Sequence, residues 1–265
     1  GELPSVRAAL GQGRAGRSGP RGENYPPSGP RSVRARGPRS VRAAGWAAEP
    51  RILGRGDPTA WSEVDLNSHL RTATGLPVAI QNDARAIAAG SVRLPLGNYS
   101  HYFCLFLSTG VGGALVVDGE IHDGPHGNAG EIGAMLPDGP ARPTTLNFLA
   151  ASGLERIEDW DRFDTLPPAR RSGLEDWCVQ AGVQLSGPLQ AVLALLDVEA
   201  ILIFSQIPRE VIEVICKAVA LVPIGANLAG VPAIALHRPD IVIHDDTSLD
   251  RGACAVALAY FFNRP

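Results

Sequence analysis

A glycine-rich turn follows a predicted strand at residues 108–113 (STGVGG). Backbone N–H groups without intervening side chains can approach an anion closely, so this turn can bind a phosphate group. Residues 114–117 are apolar and lead into Asp118-Gly119, a hairpin signal, rather than into a helix. Dinucleotide and Walker A sites need a helix there, and both are therefore excluded. The sequence predicts a phosphate-binding hairpin, with a plain tight hairpin as the alternative.

Two polar segments flank this hairpin in the sequence. Asn82-Asp83 separates a short apolar run from an alanine-rich helix, and Asp83 could serve as the helix N-cap. Residues 122–134 contain four glycines with the charged Glu131 among them, which indicates close approach of the backbone to another group. A solvated loop acid is the alternative for Glu131. His122 and His126 are four residues apart in this loop, but not on a helix face, so a metal pair is not predicted.

The elements that must position these residues alternate between helix and strand, which favours an α/β fold. Strand 101–107 is apolar on both faces and should lie inside a sheet. Trp177, Leu185 and the run 192–196 are predicted to face the core from a helix. The other predicted elements are a helix over 62–74 capped by Ser62 and ended by Gly75, a strand over 76–80, a helix over 84–92, a strand over 200–204 and a helix from Pro208.

Composition limits the function classes. The chain has 265 residues, 45% of them apolar, and lacks a run of 18 apolar residues, so no membrane span is expected. The four cysteines are far apart without a CxxC pair, which excludes a zinc ribbon and indicates reduced thiols in the cytoplasm. A net charge of −3 argues against nucleic-acid binding by bulk charge.

Residues 1–57 differ sharply from the rest. They hold eleven arginines against four acids, +7 in 57 residues, and include a tandem octad at 29–36 and 37–44. Such a segment cannot bury enough apolar surface to offset its ordering entropy, so we expect disorder. An arginine-rich tail can bind nucleic acid. A misread or wrongly started GC-rich reading frame would also give this composition, and we favour that interpretation.

Three blocks, at 76–84, 107–119 and 127–133, resemble in order and spacing the signatures of the ROK family, which holds bacterial sugar kinases and sugar-responsive transcriptional repressors. The similarity extends over roughly residues 60–265. It implies an actin-like fold of two ribonuclease-H-like lobes around a cleft. On this basis 58–98 would be a remnant of a truncated N-terminal lobe and 99–265 a complete C-terminal lobe.

The resemblance also implies roles for individual residues. Asp83 would be the general base that accepts the proton of a sugar hydroxyl, and Asn82, Asp83, Asn128 and Glu131 would bind the sugar. Thr109, Gly110, Gly112 and Gly113 would lie against the phosphates of ATP, with Mg²⁺ as the accompanying ion. Dimers are common in the family.

Three departures from the family pattern stand out. Ala134 replaces a zinc-binding histidine and residues 137–143 replace a cysteine cluster, so zinc is not predicted. Phe204-Ser205-Gln206 stands where a glycine pair would lie beside the adenosine, which places side chains in that space. The N-terminal Asp-x-Gly-Gly-Thr phosphate motif does not occur in residues 1–57.

Two function classes follow. The first is a sugar kinase that phosphorylates a hexose or amino sugar with ATP. The second is a non-catalytic sugar-sensing domain of a ROK-type repressor, for which DNA would be a partner. A truncated, inactive remnant is the third possibility.

Overall fold

The computed structural model describes residues 65–93, 98–165, 167–222, 238–244 and 249–262. The N-terminal segment 1–57, with its predicted disorder, and Ser62 lie outside these ranges. The helices are α1 (Leu66–Thr74), α2 (Asp83–Arg93), α3 (Thr145–Ser152), α4 (Pro168–Leu196), α5 (Arg209–Ala218) and α6 (Leu249–Phe262). The strands are β1 (Tyr102–Leu107), β2 (Val111–Val117), β3 (Glu120–His122), β4 (Ala200–Ser205) and β5 (Asp240–His244). Two 3₁₀ segments span Ile132–Met135 and Ile157–Thr165.

The strands form one five-stranded sheet in the order β3-β2-β1-β4-β5. β1 pairs antiparallel with β2 and parallel with β4, so it lies in the interior as its apolar sequence predicted. Asp118 (φ 53°) and Gly119 (φ 74°) close the β2–β3 hairpin in the left-handed conformation that a type I′ turn requires. The predicted hairpin between two antiparallel strands is therefore confirmed.

Alternate residues of β1 enter two separate clusters, because successive side chains of a strand point to opposite faces. Phe103, Leu105 and Leu107 join the larger cluster, with residues of α3, α4 and α5. Tyr102, Cys104 and Phe106 join the smaller one, with α2. Helices on both faces of a mixed sheet give a three-layer α/β lobe, which confirms the predicted fold class.

Helix α4 is the main core helix. Trp177 and Leu185 are buried, as predicted, but Leu195 is 81% exposed and Leu196 is also exposed, so the prediction that the whole run 192–196 faces the core was wrong. At the end of α4 the side chains of Leu195 and Leu196 point away from the core. By length and composition alone α4 could cross a membrane. Its buried face packs against the sheet, as in the core helix of a globular lobe.

Helices α2 and α6 approach closely because glycines face each other. A Cβ built on Gly90 would lie 3.2 Å from the Gly252 nitrogen, and one built on Gly252 would overlap the Ala86 carbonyl oxygen. Side chains at either position would separate the two helices. The C-terminal run 251–258 thus covers the helix that begins at Asp83.

The segment before α2 differs from expectation. α1 ends at Gly75 in the left-handed conformation, as predicted, but Asp65 caps its start by accepting a hydrogen bond from the Ser68 backbone. Residues 76–80 do not form a strand, and that prediction was wrong. A strand needs a neighbouring ladder, and none of the described strands pairs with this segment. Instead the Val78 carbonyl accepts a hydrogen bond from the Asn67 side chain.

At the end of the sheet where β1 and β4 begin, the Glu199 carboxylate bonds to the backbone before β1. Glu199 accepts hydrogen bonds from the backbone nitrogens of His101 (2.7 Å) and Ser100 (2.6 Å). These bonds favour the ionised form and lower the pKa of Glu199. The carboxylate therefore joins the entry of β1 to the entry of β4.

We predict that Gly252→Ala destabilises the fold by about 1–3 kcal/mol, because the added methyl group overpacks the α2–α6 contact. Gly173→Ala is the matched control: a Cβ there meets nothing closer than 3.9 Å, so removing a helical glycine should stabilise by about 0.5–1 kcal/mol. The free energy of unfolding in urea measures both. Equal effects of the two substitutions would contradict the proposed close contact.

We also predict that Glu199 contributes to the acid sensitivity of folding. Because its folded pKa is lowered, its stabilisation is present above the unfolded pKa and is lost as the pH falls through the folded value. The stability difference between the native chain and Glu199→Gln should therefore shrink from pH 7 to pH 3 in urea titrations. Glu120→Gln on the exposed strand β3 is the control. A difference that stays constant over this pH range would contradict the assignment.

Candidate functional site

The start of α2 fixes the first pair of site residues. The Asn82 side-chain oxygen accepts a hydrogen bond from the Arg85 backbone nitrogen at 3.2 Å, so Asn82 is the N-cap. Asp83 is the first helical residue, and its Oδ1 accepts from the Ala84 nitrogen at 2.9 Å. The alternative in which Asp83 is the N-cap is therefore wrong: the neighbouring asparagine has that role. A carboxylate in the first turn also interacts favourably with the helix dipole.

Asp83 lies beside the glycine turn. A Cβ built on Gly112 would lie 3.9 Å from Asp83 Oδ1 and 3.1 Å from Ala84 Cβ. The two features are separated by 29 positions in the sequence and meet because α2 packs across β1 and β2. The structure thus brings together the carboxylate and the diglycine segment that the sequence analysis singled out.

The turn itself is tied to the following helix. The Ser108 nitrogen donates to the Gly110 oxygen at 2.9 Å, and the Ser108 oxygen accepts from the Thr145 nitrogen at 2.8 Å. Thr109 and Gly112 are partly exposed, whereas Gly110 is buried. Thr109 and Gly112 are therefore the positions of the turn that can meet a ligand directly.

Gly113 has a packing role that the sequence analysis did not anticipate. A Cβ there would overlap the Phe103 ring and lie 2.6 Å from the Gly130 oxygen. The space left by its missing side chain is filled by the protein itself. A glycine at this position is needed for packing, whatever its amide binds.

The loop at 122–134 lies directly on β2. Gly130 has φ +92°, and a Cβ built on it would be 2.8 Å from both Ala114 Cα and the Gly113 oxygen. One built on Gly133 would overlap the Val111 oxygen. The group that these glycines approach is therefore the β2 backbone.

Asn128 and Glu131 are presented by this loop. The Glu131 nitrogen donates to the Asn128 oxygen at 3.2 Å, and Glu131 directly precedes the 3₁₀ turn Ile132–Met135 with an exposed side chain. The Asn128 side-chain oxygen is buried and has no hydrogen-bond partner among the described residues. A buried acceptor in this state can accept a hydrogen bond from a ligand hydroxyl or a water.

Two arginines hold the loop, and sequence reasoning missed both. Arg85 in α2 contacts residues 123 and 129, on the side of the loop that precedes Glu131. Arg142 contacts residues 133, 136 and 138, on the side that follows it. The only sequence signal for Arg85 was its position in the predicted helix, two residues after Asp83. Arg142 gave no signal.

Arg142 occupies the region in which the family resemblance implies zinc. Its Nη1 donates to the Leu136 oxygen (2.8 Å) and the Asp138 carboxylate (3.1 Å), and its Nη2 donates to the Gly133 oxygen (2.8 Å). Zinc requires Cys, His or carboxylate ligands, whereas this segment offers the methyl group of Ala134 and a guanidinium. The residues present do not fit the ion. Among the described residues no cluster of three His, Cys, Asp or Glu side chains could hold a metal.

Residues 204–206, predicted to place side chains in the adenosine space, lie at the end of β4. Phe204 is buried and stacks on His244 with ring centroids 4.9 Å apart. The Ser205 hydroxyl donates to the Leu107 oxygen and accepts from the Ile207 nitrogen. Only Gln206 of the three is exposed. Of the three, Gln206 is thus the side chain that faces solvent, and the obstruction itself remains a prediction.

Cys104 and Cys178 are buried thiols, and Cys216 is half-buried. Burial raises the pKa of Cys104, Cys178 and Cys216 to about 12, which keeps them protonated at neutral pH. All four cysteines are free of disulfides. Their chemistry therefore adds nothing to the site.

The glycine hairpin and the three-layer arrangement of helices on both faces of the sheet are those of a lobe of the actin-like fold. Residues 51–150 match the model of the ROK family, which this chain resembles as a divergent relative. The match begins at residue 51, so the last seven residues of segment 1–57 fall within the family region.

Curated relatives cover only parts of this chain. An uncharacterised protein, y4fQ, of Sinorhizobium fredii is 29% identical over 167 residues, which span 61% of this chain and 42% of the relative. The bifunctional enzyme NanE/NanK of Brucella melitensis is 28% identical over 57% of this chain and 33% of its own length. The glucokinase of Streptomyces coelicolor is 34% identical over 30% of this chain and 26% of its own. The chain thus spans less than half the length of these relatives.

Solved structures support the fold. The Lmo2764 protein of Listeria monocytogenes, a candidate N-acetylmannosamine kinase, aligns with a TM-score of 0.51 at 23% identity, over 76% of this chain and 71% of that one. A ROK family protein of Streptococcus pneumoniae in complex with sucrose aligns with a TM-score of 0.50 at 22% identity, over 73% and 70%. At these identities the likeness concerns the fold alone.

We predict that Arg142→Met destabilises the fold by about 1–3 kcal/mol, because the Gly133 and Leu136 oxygens lose their charged donor. Asp138→Asn is the control: that carboxylate is 93% exposed, so its ion pair with Arg142 should contribute less than about 1 kcal/mol. Urea unfolding measures both. Two equally small effects would show that the guanidinium does not brace the loop.

Proposed function

We propose that this chain is a sugar kinase of the ROK type, which phosphorylates a hydroxyl of a hexose or an amino sugar with ATP in the cytoplasm. The observation that carries the proposal is the Asp83 carboxylate at the start of α2, beside Gly112 in the glycine turn. A sugar hydroxyl is a weak nucleophile and needs a base within hydrogen-bond reach. A phosphoryl donor needs amides free of side chains nearby.

In this mechanism each group of residues has a separate role. Asp83 accepts the proton of the sugar hydroxyl as the oxygen–phosphorus bond forms, and later releases that proton to solvent. Asn82, Asn128 and Glu131 bind other hydroxyls and orient the sugar. The backbone at Thr109 and Gly112 binds the phosphates directly, and the buried Gly110 and Gly113 give the turn the shape that this needs. ATP, when bound with Mg²⁺, would supply the γ-phosphoryl group, and ADP would be the leaving group.

The substrate class rests on the relatives. The bifunctional enzyme NanE/NanK and a glucokinase are among the matching proteins, and the ROK model matches residues 51–150, which include the glycine hairpin. The buried Asn128 acceptor and the exposed Glu131 carboxylate suit a ligand with several hydroxyl donors. We therefore propose an aldohexose or its amino-sugar counterpart, bound as a small molecule, with a homodimer as the possible assembly.

A second function is favoured by one observation. Ala134 and Arg142 stand in the region of the zinc ligands that the resemblance implies. The guanidinium of Arg142 then holds the end of the loop 122–134 in place of zinc. This change suits a sugar-sensing domain of a ROK-type repressor, in which the ligand is bound but not phosphorylated. DNA would then be a partner through a separate region.

We predict that Asp83→Asn lowers kcat for sugar-dependent ATP consumption by about 10²–10⁴-fold, because the amide cannot accept the proton. The isosteric change keeps the size of the side chain. Asp176→Asn, on the exposed face of α4, is the matched control and should leave turnover unchanged. Coupled ADP release with glucose, mannose, N-acetylmannosamine and N-acetylglucosamine, using the full chain, measures the effect.

The outcomes separate the two functions. Turnover that survives Asp83→Asn would overturn the kinase mechanism. Calorimetric sugar binding without any sugar-dependent ATP consumption in the native chain would favour the sensing domain. Neither binding nor turnover with any of the four sugars would contradict both functions.

A further inference from the structure

The side chain of Arg85 is buried, and Arg85 lies two residues beyond Asp83, the candidate base. Arg85 is 9% exposed, although arginine is almost never fully buried unless it is paired. Its position on α2 is two residues after Asp83, and the Asn82 side chain caps its own backbone nitrogen. The side chain extends from the helix toward the loop that carries Asn128 and Glu131. Its burial therefore needs partners, and the loop supplies them.

Arg85 joins the two ends of the loop, Asp123 and Ala129, through its guanidinium. Its Nη1 lies 2.9 Å from Asp123 Oδ1, and its Nη2 donates to the Asp123 oxygen at 3.1 Å and to the Ala129 oxygen at 3.4 Å. The Asp123 oxygen also accepts from the Ala129 nitrogen at 3.2 Å. Both ends of residues 123–129 are thus held at one point.

The guanidinium also lies under the middle of the loop. A Cβ built on Gly127 would be 3.7 Å from Arg85 Nη1, and Gly127 has φ +67°. The loop turns over the charged group, and Asn128 follows directly. A shift of the guanidinium would therefore move the segment on which Asn128 and Glu131 lie.

The contacts suit arginine and not lysine. Two nitrogens of one planar group reach a carboxylate and two carbonyl oxygens at once, which a single ammonium cannot reproduce. The carboxylate of Asp123 is 60% exposed, so its ion pair is partly screened by water. The two carbonyl contacts at the buried end are the ones that define the loop geometry.

We propose that Arg85 is a positioning residue for the sugar-binding loop: it holds residues 123–131 against the helix that carries Asp83, and so sets the affinity for the sugar. This inference rests on the proposed function, because it takes Asn128 and Glu131 as sugar contacts. Arg85 neither exchanges a proton nor touches the reacting atoms in this role. Its removal should weaken sugar binding and leave the chemical step nearly intact.

The first test is hydrogen exchange on the full chain, which does not depend on any sugar. Arg85→Lys should accelerate amide exchange in residues 123–131 by at least about tenfold, the change expected when one or two hydrogen bonds to a charged group are lost. Exchange in β1 and β4 should stay as in the native chain. Arg93→Lys, at the exposed end of the same helix, is the matched control. Unchanged exchange in the loop would overturn the proposal.

The second test separates affinity from chemistry. Arg85→Lys should raise KM for the sugar by about tenfold with kcat within about threefold, the pattern of lost uniform binding, while KM for ATP stays constant. Asp123→Asn keeps the carbonyl contacts and should change the sugar KM by less than about threefold. A loss of kcat equal to the change in KM, or no change in KM, would overturn the role in sugar binding.

The two tests distinguish failure of the proposed function from failure of the role proposed for Arg85. A native chain that binds none of the four sugars by calorimetry contradicts the proposed function, and hydrogen exchange still decides whether Arg85 holds the loop. If sugar is bound without turnover, the calorimetric Kd replaces KM, with the same tenfold expectation for Arg85→Lys.

Discussion

The contact on which the site depends is the direct packing of one backbone on another, between residues 130–133 and strand β2. It exists because glycines stand at 113, 130 and 133, where any Cβ would meet main-chain atoms or the Phe103 ring. Main-chain atoms cannot move aside as a flexible side chain can, so these positions tolerate little change. The contact lays the loop with Asn128 and Glu131 along the hairpin that carries Gly112, and α2 brings Asp83 to the same hairpin.

Glycines allow this approach but do not hold it, since each costs conformational entropy on folding. The holding groups are two guanidiniums, each bonded to main-chain oxygens on one side of the loop. Arg85 ties the loop to α2, and Arg142 ties the following 3₁₀ turn to the segment before α3.

Much of the fold could be predicted because local signals agreed with the tertiary structure. The six apolar residues of β1 face two cores, and Asp118-Gly119 adopts the turn conformation that its sequence favours. Residues 76–80 show the limit: five apolar residues cannot reveal whether a partner strand exists. At the site, Asp83 and Gly112 were predicted together and lie together. Arg85 and Arg142 could not be predicted, because a buried arginine and a solvated one look alike until distant carbonyl groups are placed around them.

All candidate residues fall between Asn82 and Glu131, and the contacts that join them involve one hairpin, one helix start and one loop. The site therefore forms only when this part of the lobe folds, because its contacts join elements that are adjacent in space although Arg85 and Ala129 are 44 positions apart in the sequence. Changes in α4 or β4 can act on it only through overall stability. Changes at Gly112, Arg85 or the loop act on its geometry. A substitution can therefore be assigned to one class or the other by whether sugar affinity falls without a fall in the free energy of unfolding.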